Sequence, residues 1–186
     1  MTDRGSVLDE LAPGEVRVYT IDGDREVERA MRRRILAGCL RIDEARVEIA
    51  IGEKGKPTIV NDPGLHFSVS HTGNVSMLAL TRVAPVGVDV ERIRTVPFAE
   101  KILRRFFPDA DIDEILSSDH KELRFVRAWT TAEATVKIRG ASVWEAATPD
   151  PSAVVREIVA PDGYAAAVAV AAPDWYVTQR PYAAGD

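Results

Sequence analysis

The chain has 186 residues, 46% hydrophobic and 28% charged, an ordinary balance for one globular domain or for two small halves sharing a core. Its formal net charge of -5 argues against general nucleic-acid binding. No apolar run approaches the roughly 20 residues of a membrane span, and the N-terminus lacks the basic-then-apolar order of a secretion signal.

Residues 1–15 mix charge, Gly and Pro without periodicity and are expected to form a flexible lead-in. Residues 16–21 alternate as a strand; a helix is predicted from about Arg25 to Arg41, with Asp24 as N-cap and Val27, Met31 and Ile35 on one stripe. The single cysteine, Cys39, stands among Ile35, Leu36 and Leu40 and reads as a core thiol without a disulfide partner. The cytoplasm is the expected compartment. Strands are predicted at 47–51, 57–60, 67–70, 75–81 and 86–91. Residues 97–107 carry Phe98, Ile102, Leu103, Phe106 and Phe107 among basic residues, an amphipathic helix stopped at Pro108, whose apolar face reads as core. A short helical turn at 111–116 precedes a long helix at 120–139 ended by Gly140. Strands at 154–159, 164–170 and 175–178 close the chain. Short strands without sustained strand-helix-strand alternation predict an α+β fold.

Two of these elements carry the chemistry. On a strand, Asp89 and Glu91 point to one face while Val88 and Val90 point to the other. On a helix, Trp129, Glu133 and Lys137 recur every four residues and share a stripe. Each half alone is commonly a solvated edge or a surface ion pair. A third segment adds Gly55-Lys56-Pro57 and a strand ending in Ser70-His71-Thr72-Gly73, residue types that bind phosphate. Carboxylate oxygens suit Mg²⁺, which fills its other positions with water and substrate phosphate. A phosphate-transfer enzyme is the reading.

In order and residue type the three segments resemble the motifs of the Sfp-type 4'-phosphopantetheinyl transferases: Gly-Lys-Pro with Ser-His-Ser-Gly, the Gly-(Val/Ile)-Asp-(Val/Ile)-Glu strand, and the Trp-x-x-Lys-Glu-Ala-x-x-Lys helix. The resemblance covers about residues 54–140. It implies transfer of the phosphopantetheine arm of coenzyme A to a serine of an acyl or peptidyl carrier protein, releasing 3',5'-ADP, with Mg²⁺ or Mn²⁺. By the same resemblance Asp89, Glu91 and Glu133 would hold the metal against the coenzyme A pyrophosphate, and Lys137 would contact the departing phosphate. Glu133, or a water at the metal, would help deprotonate the carrier serine. Ser70 and His71 would bind coenzyme A phosphates, Lys56 would lie near the nucleotide, and Arg32 is the choice within 29–34 for the 3'-phosphate. The resemblance also sharpens the fold to two similar α/β halves, 16–94 and 95–186, related by pseudo-twofold symmetry with the site in the cleft between them. A monomer fits that arrangement, since both halves come from one chain.

The sequence departs from the family pattern in two places. Ala132 stands where the motif has a lysine, and the N-terminal portion is shorter and less basic than usual in the family. Basic clusters at 29–34, at Lys101, Arg104 and Arg105, and at Lys121, Arg124 and Arg127 read as solvated helix faces or as a docking surface for an acidic carrier. Two other readings stay open: a family member that binds coenzyme A or a carrier without transfer, and an unrelated metal-dependent phosphohydrolase.

Overall fold

The computed structural model describes residues 10–52, 54–145 and 150–182. Its elements are β1 (Glu15–Asp22), α1 (Arg25–Leu40), β2 (Ile49–Ile51), β3 (Pro57–Ile59), β4 (His66–Thr72), β5 (Val75–Thr81), β6 (Val86–Arg92), α2 (Ala99–Phe106), α3 (Asp109–Leu116), α4 (Lys121–Lys137), β7 (Val154–Ile158), β8 (Tyr164–Val170) and β9 (Tyr176–Tyr182). The class is α+β, as expected. Two larger sheets carry the fold, with strand orders β4-β5-β1-β9 and β6-β8-β7, and β2 and β3 form a separate ribbon. The two share a layout. A first strand (β1 or β6) is followed by helix and then by a hairpin (β4–β5 or β7–β8), and the second hairpin strand pairs antiparallel with the first strand.

Period-two alternation distributes the side chains of β1 between two cores. Tyr19 and Ile21 pack with Met31, Ile35 and Leu36 of α1 and with Phe67, Leu78 and Leu80. Val16 and Val18 join Met77 and Ala79 against Val86, Val88 and Val90 of β6 and Val168 and Val170 of β8. The two sheets are thus welded through aliphatic faces, and burial of this area is the main drive to the arrangement. On its other face the second sheet receives α4, where Ala134 and Ile138 meet Ala167 and Ala169. Alanines on β8 keep that contact shallow, so α4 lies close to the strands.

Local signals account for several boundaries. Asp24 caps α1, accepting from Glu26 N–H and Val27 N–H. The helix stops one residue before the predicted Arg41, which turns to a left-handed φ of 54°. Only 49–51 of the predicted 47–51 strand pairs, because 44–46 form a 3-10 turn and Val47 drops into the core. Cys39 is half-buried against the α1 core, and burial pushes its thiol pKa up. Leu103 is buried and Ile102, Phe106 and Phe107 partly so, whereas Phe98 is 74% exposed at a φ of 60°.

Residues 1–9 of the expected lead-in lie outside the described residues. The remainder is tied down: Leu11 is buried, and Glu15 opens β1 as half of a buried ion pair, with Arg17 Nε donating to Glu15 Oε1 at 2.8 Å. Thr178 Oγ1 of β9 and Ala12 N–H also donate to this carboxylate. Burial would raise its pKa, but Arg17, Thr178 and Ala12 outweigh burial and hold it at about 2. Strand β9 meanwhile runs parallel to β1, from Glu15 opposite Tyr176 to Ile21 opposite Tyr182, so the end of the chain clasps the first sheet. Among the described residues no helix is long and apolar enough to cross a membrane.

Candidate active site

The site forms where β4, β6 and α4 meet. Along β4 the residues Ser68, Ser70 and Thr72 alternate onto the face that looks at β6. Val88 N–H donates to Ser68 Oγ at 3.1 Å, Ser70 Oγ donates to Asp89 Oδ1 at 2.7 Å, and Thr72 Oγ1 donates to Glu91 Oε2 at 3.1 Å. A ladder of hydroxyls therefore seats the two carboxylates, although β4 and β6 belong to different sheets. Sequence reasoning missed Ser68 and the pairing of Thr72 with Glu91, although three hydroxyls at period two carry the signal.

Helix α4 brings the other half. Lys137 Nζ donates to Asp89 Oδ1 at 2.7 Å and to Ser70 Oγ at 3.1 Å. Ser70 thus bridges the ammonium and the carboxylate. Glu133, one turn earlier, is buried and accepts from Val143 N–H at 3.2 Å. Close seating of α4 depends on Gly87, where an added Cβ would lie 2.0 Å from Ala134 O. Trp129, on the same stripe, packs with Phe106, Phe125 and Trp144 in an aromatic cluster flanking the site.

The electrostatics are those of crowded acids. Burial first, and then the nearby Asp89, pushes the Glu91 carboxyl pKa up; burial also raises that of Glu133, with Asp89 and Glu91 adding to it. Asp89 Oδ2 is buried without a hydrogen-bond partner among the described residues. An orphaned carboxylate oxygen beside two acids held above their ordinary range fits a divalent cation, whose charge would offset both costs. As the side chains stand, no group of three His, Cys, Asp or Glu among the described residues is closed around one point. Lys137 occupies Asp89 Oδ1 instead.

The remaining expected residues divide. His71 lies beside the cluster: its pKa is lowered by burial and then by Arg25 and Lys137. Arg25, at the start of α1, is thus a cation near this site that the sequence reading did not select. Arg32, expected at the 3'-phosphate, pairs at 3.4 Å with Glu28 one turn back, and its Nε is buried without a partner among the described residues. Lys56, expected near the nucleotide, is held by backbone: its ammonium donates to Val86 O, Lys137 O and Ile138 O at 2.9, 3.0 and 2.7 Å. Three donors are all an ammonium has. Burial pushes its pKa down to about 8, while the carbonyls at the negative end of α4 favour the charged form. Ala132 lines an outer groove of about 580 Å³ with Phe107, Ala128 and Thr131. At about 100° per residue its side chain leaves α4 well round from Glu133.

Residues 85–170, from the start of β6 to the end of β8, match the model of the 4'-phosphopantetheinyl transferase superfamily. Over this segment the chain is similar to that superfamily. Four residues of the cluster, Asp89, Glu91, Glu133 and Lys137, fall inside the matched segment, whereas Ser70, His71 and Lys56 precede it. The 4'-phosphopantetheinyl transferase HetI of Nostoc sp. is 30% identical over 62% of this chain and 51% of its own length. The 4'-phosphopantetheinyl transferase Sfp of Bacillus subtilis is 29% identical over 58% of this chain and 48% of its own. The 4'-phosphopantetheinyl transferase AcpT of Escherichia coli is 35% identical over 55% of this chain and 54% of its own. The chain spans about half the length of the curated superfamily relatives it matches.

Proposed function

We propose that the protein transfers the 4'-phosphopantetheine arm of coenzyme A to a serine of an acyl or peptidyl carrier protein. The observation that carries this is the joining of Asp89, Glu91, Glu133, Lys137 and Ser70 into one cluster from three separate elements. Phosphoryl-type transfer needs little more than positioning and neutralisation of charge on phosphate oxygens. In the reaction the carrier serine oxygen forms a bond to the β-phosphorus of the pyrophosphate. The bond from that phosphorus to the bridging oxygen breaks, and 3',5'-ADP departs. Asp89, Glu91 and Glu133 would hold Mg²⁺ or Mn²⁺, which supplies charge neutralisation to the pyrophosphate when bound. Glu133, its pKa raised by burial, is suited to accept the serine proton. Lys137 stabilises the leaving phosphate, and His71 with Arg25 supplies further contacts to coenzyme A phosphates.

The repeated strand, helix and hairpin layout supports the finer reading of two halves, 16–94 and 95–186, related by pseudo-twofold symmetry with the site in the cleft between them. A cytoplasmic monomer fits this reading. Exposed Phe98, with Lys101 over its ring, and Arg94 nearby in the chain offer an apolar contact rimmed by cations for an acidic carrier.

Ala132 bears on activity through its position. Because half-buried Ala132 lines that groove and packs against Val136, Ala141 and Val143, Ala132→Lys is expected to leave the transfer rate within about twofold. A tenfold rise in rate at saturating coenzyme A would show that a cation there reaches the reacting phosphates.

The deciding experiment is intact-protein mass spectrometry of several apo carrier proteins after incubation with the protein, coenzyme A and Mg²⁺, with EDTA as control. A metal-dependent gain of one phosphopantetheine is the expected result. No gain on any carrier, alongside measurable coenzyme A binding, would replace transfer by a binding role.

A further inference from the structure

We infer that Lys56 is a positioning residue for the site, one that fastens the C-terminal turn of α4 to the start of β6 and so sets Lys137 on Asp89. The inference rests on the transfer reading above. The last carbonyls of a helix have no partner within it, and a cation there is favourable. The one basic residue in the last turn of α4 is Lys137, but its ammonium is turned to Asp89. The carbonyls of Lys137 and Ile138 are met instead by Lys56, from 81 and 82 residues away in sequence, and its third bond goes to Val86 O. Val86 opens β6, the strand that carries Asp89. Both ends of the Lys137–Asp89 contact are therefore anchored to one ammonium.

The stem of Lys56 is enclosed as well. Gly140, at a φ of 70°, lies so close that an added Cβ would come within 2.8 Å of Lys56 Cβ. The chain leaving α4 is thus wrapped over the lysine that fastens it. A nucleotide contact would require Lys56 to leave these three carbonyls; a positioning role requires no movement.

The test uses the full chain with Lys56→Met. The expected result is a fall in kcat for carrier modification of roughly 10- to 100-fold, the scale of an ångström-sized misplacement, with KM for coenzyme A and its directly measured dissociation constant within about twofold of wild type. Backbone amides of residues 136–141 should exchange hydrogen faster, because the turn has lost its fastening. Lys56→Arg, which still donates to carbonyls, should recover part of kcat. Should Lys56→Met not fold, Lys56→Gln, with two donors for three carbonyls, is read by the same constants. Weakened coenzyme A binding with kcat kept would overturn the inference and return Lys56 to the nucleotide, and unchanged kcat with unchanged exchange would also overturn it. If the wild type transfers nothing, the transfer reading fails by itself; exchange at 136–141 still decides whether Lys56 fastens the turn.

Discussion

Asp89→Ala is expected to reduce transfer by roughly 100- to 1,000-fold or more, the range seen when one preorganised electrostatic group is removed from a phosphate or oxyanion site. One oxygen of Asp89 receives both Lys137 Nζ and Ser70 Oγ at 2.7 Å. The other is the buried, unpartnered oxygen proposed to meet the metal. Truncation therefore removes charge from the proposed cation site and releases Lys137 from its position in one step. The fold should survive. The Lys137 side chain is 27% exposed, so the freed ammonium reaches water rather than being stranded, and the cost should stay near the about 1–3 kcal/mol of a lost buried polar contact. Urea denaturation and carrier-modification kinetics on the same samples separate the two effects. Asp89→Asn controls for volume, since it keeps the shape and loses the charge. A variant at either residue type with wild-type transfer in saturating Mg²⁺ would refute the proposed ligand role.

Gly87→Ala is expected to be costly for a different reason. The added methyl would lie 2.0 Å from Ala134 O, 3.1 Å from Ala134 C and 3.0 Å from Ile138 N. These are backbone atoms of α4 and its C-cap, which no rotamer change can move. Relief requires the whole helix to lift from β6. The loss should reach or exceed the upper end of the about 1–3 kcal/mol typical of overpacking, and lifting α4 also carries Glu133 and Lys137 away from Asp89. Gly163→Ala is the useful comparison. That glycine has a φ of 83° but nothing within 4 Å, so its cost should be only the roughly 1–2 kcal/mol of the left-handed conformation. Equal unfolding midpoints for wild type and Gly87→Ala would mean that α4 does not sit on β6 as described.

How much was legible beforehand follows from the range of each interaction. The shared face of Asp89 and Glu91, the stripe of Glu133 and Lys137, and the cap at Asp24 are consequences of backbone geometry over a few residues, and each was readable from spacing alone. The family motifs then supplied an order and a chemistry for those residues. They did not supply the partners. Lys56 carries a phosphate-binding side chain in a family motif, yet the carbonyls it meets lie 81 and 82 residues along the chain. Arg32 and Arg25 sit two turns apart on one helix, and only the packing of α1 on the first sheet decides which stands near His71.

Spacing and motif therefore indicated most of the secondary structure and carried the expectation of a donor set and of a class of chemistry. Tertiary structure decided which hydroxyls seat the carboxylates, that Lys137 rests on Asp89, that Ala132 lines a separate groove and that β9 returns to pair with β1. The reason is physical: periodicity follows from dihedral angles repeated along a short segment, whereas Ser70 and Lys137, 67 residues apart, meet only because the aliphatic faces of two sheets bury each other and bring their edges together.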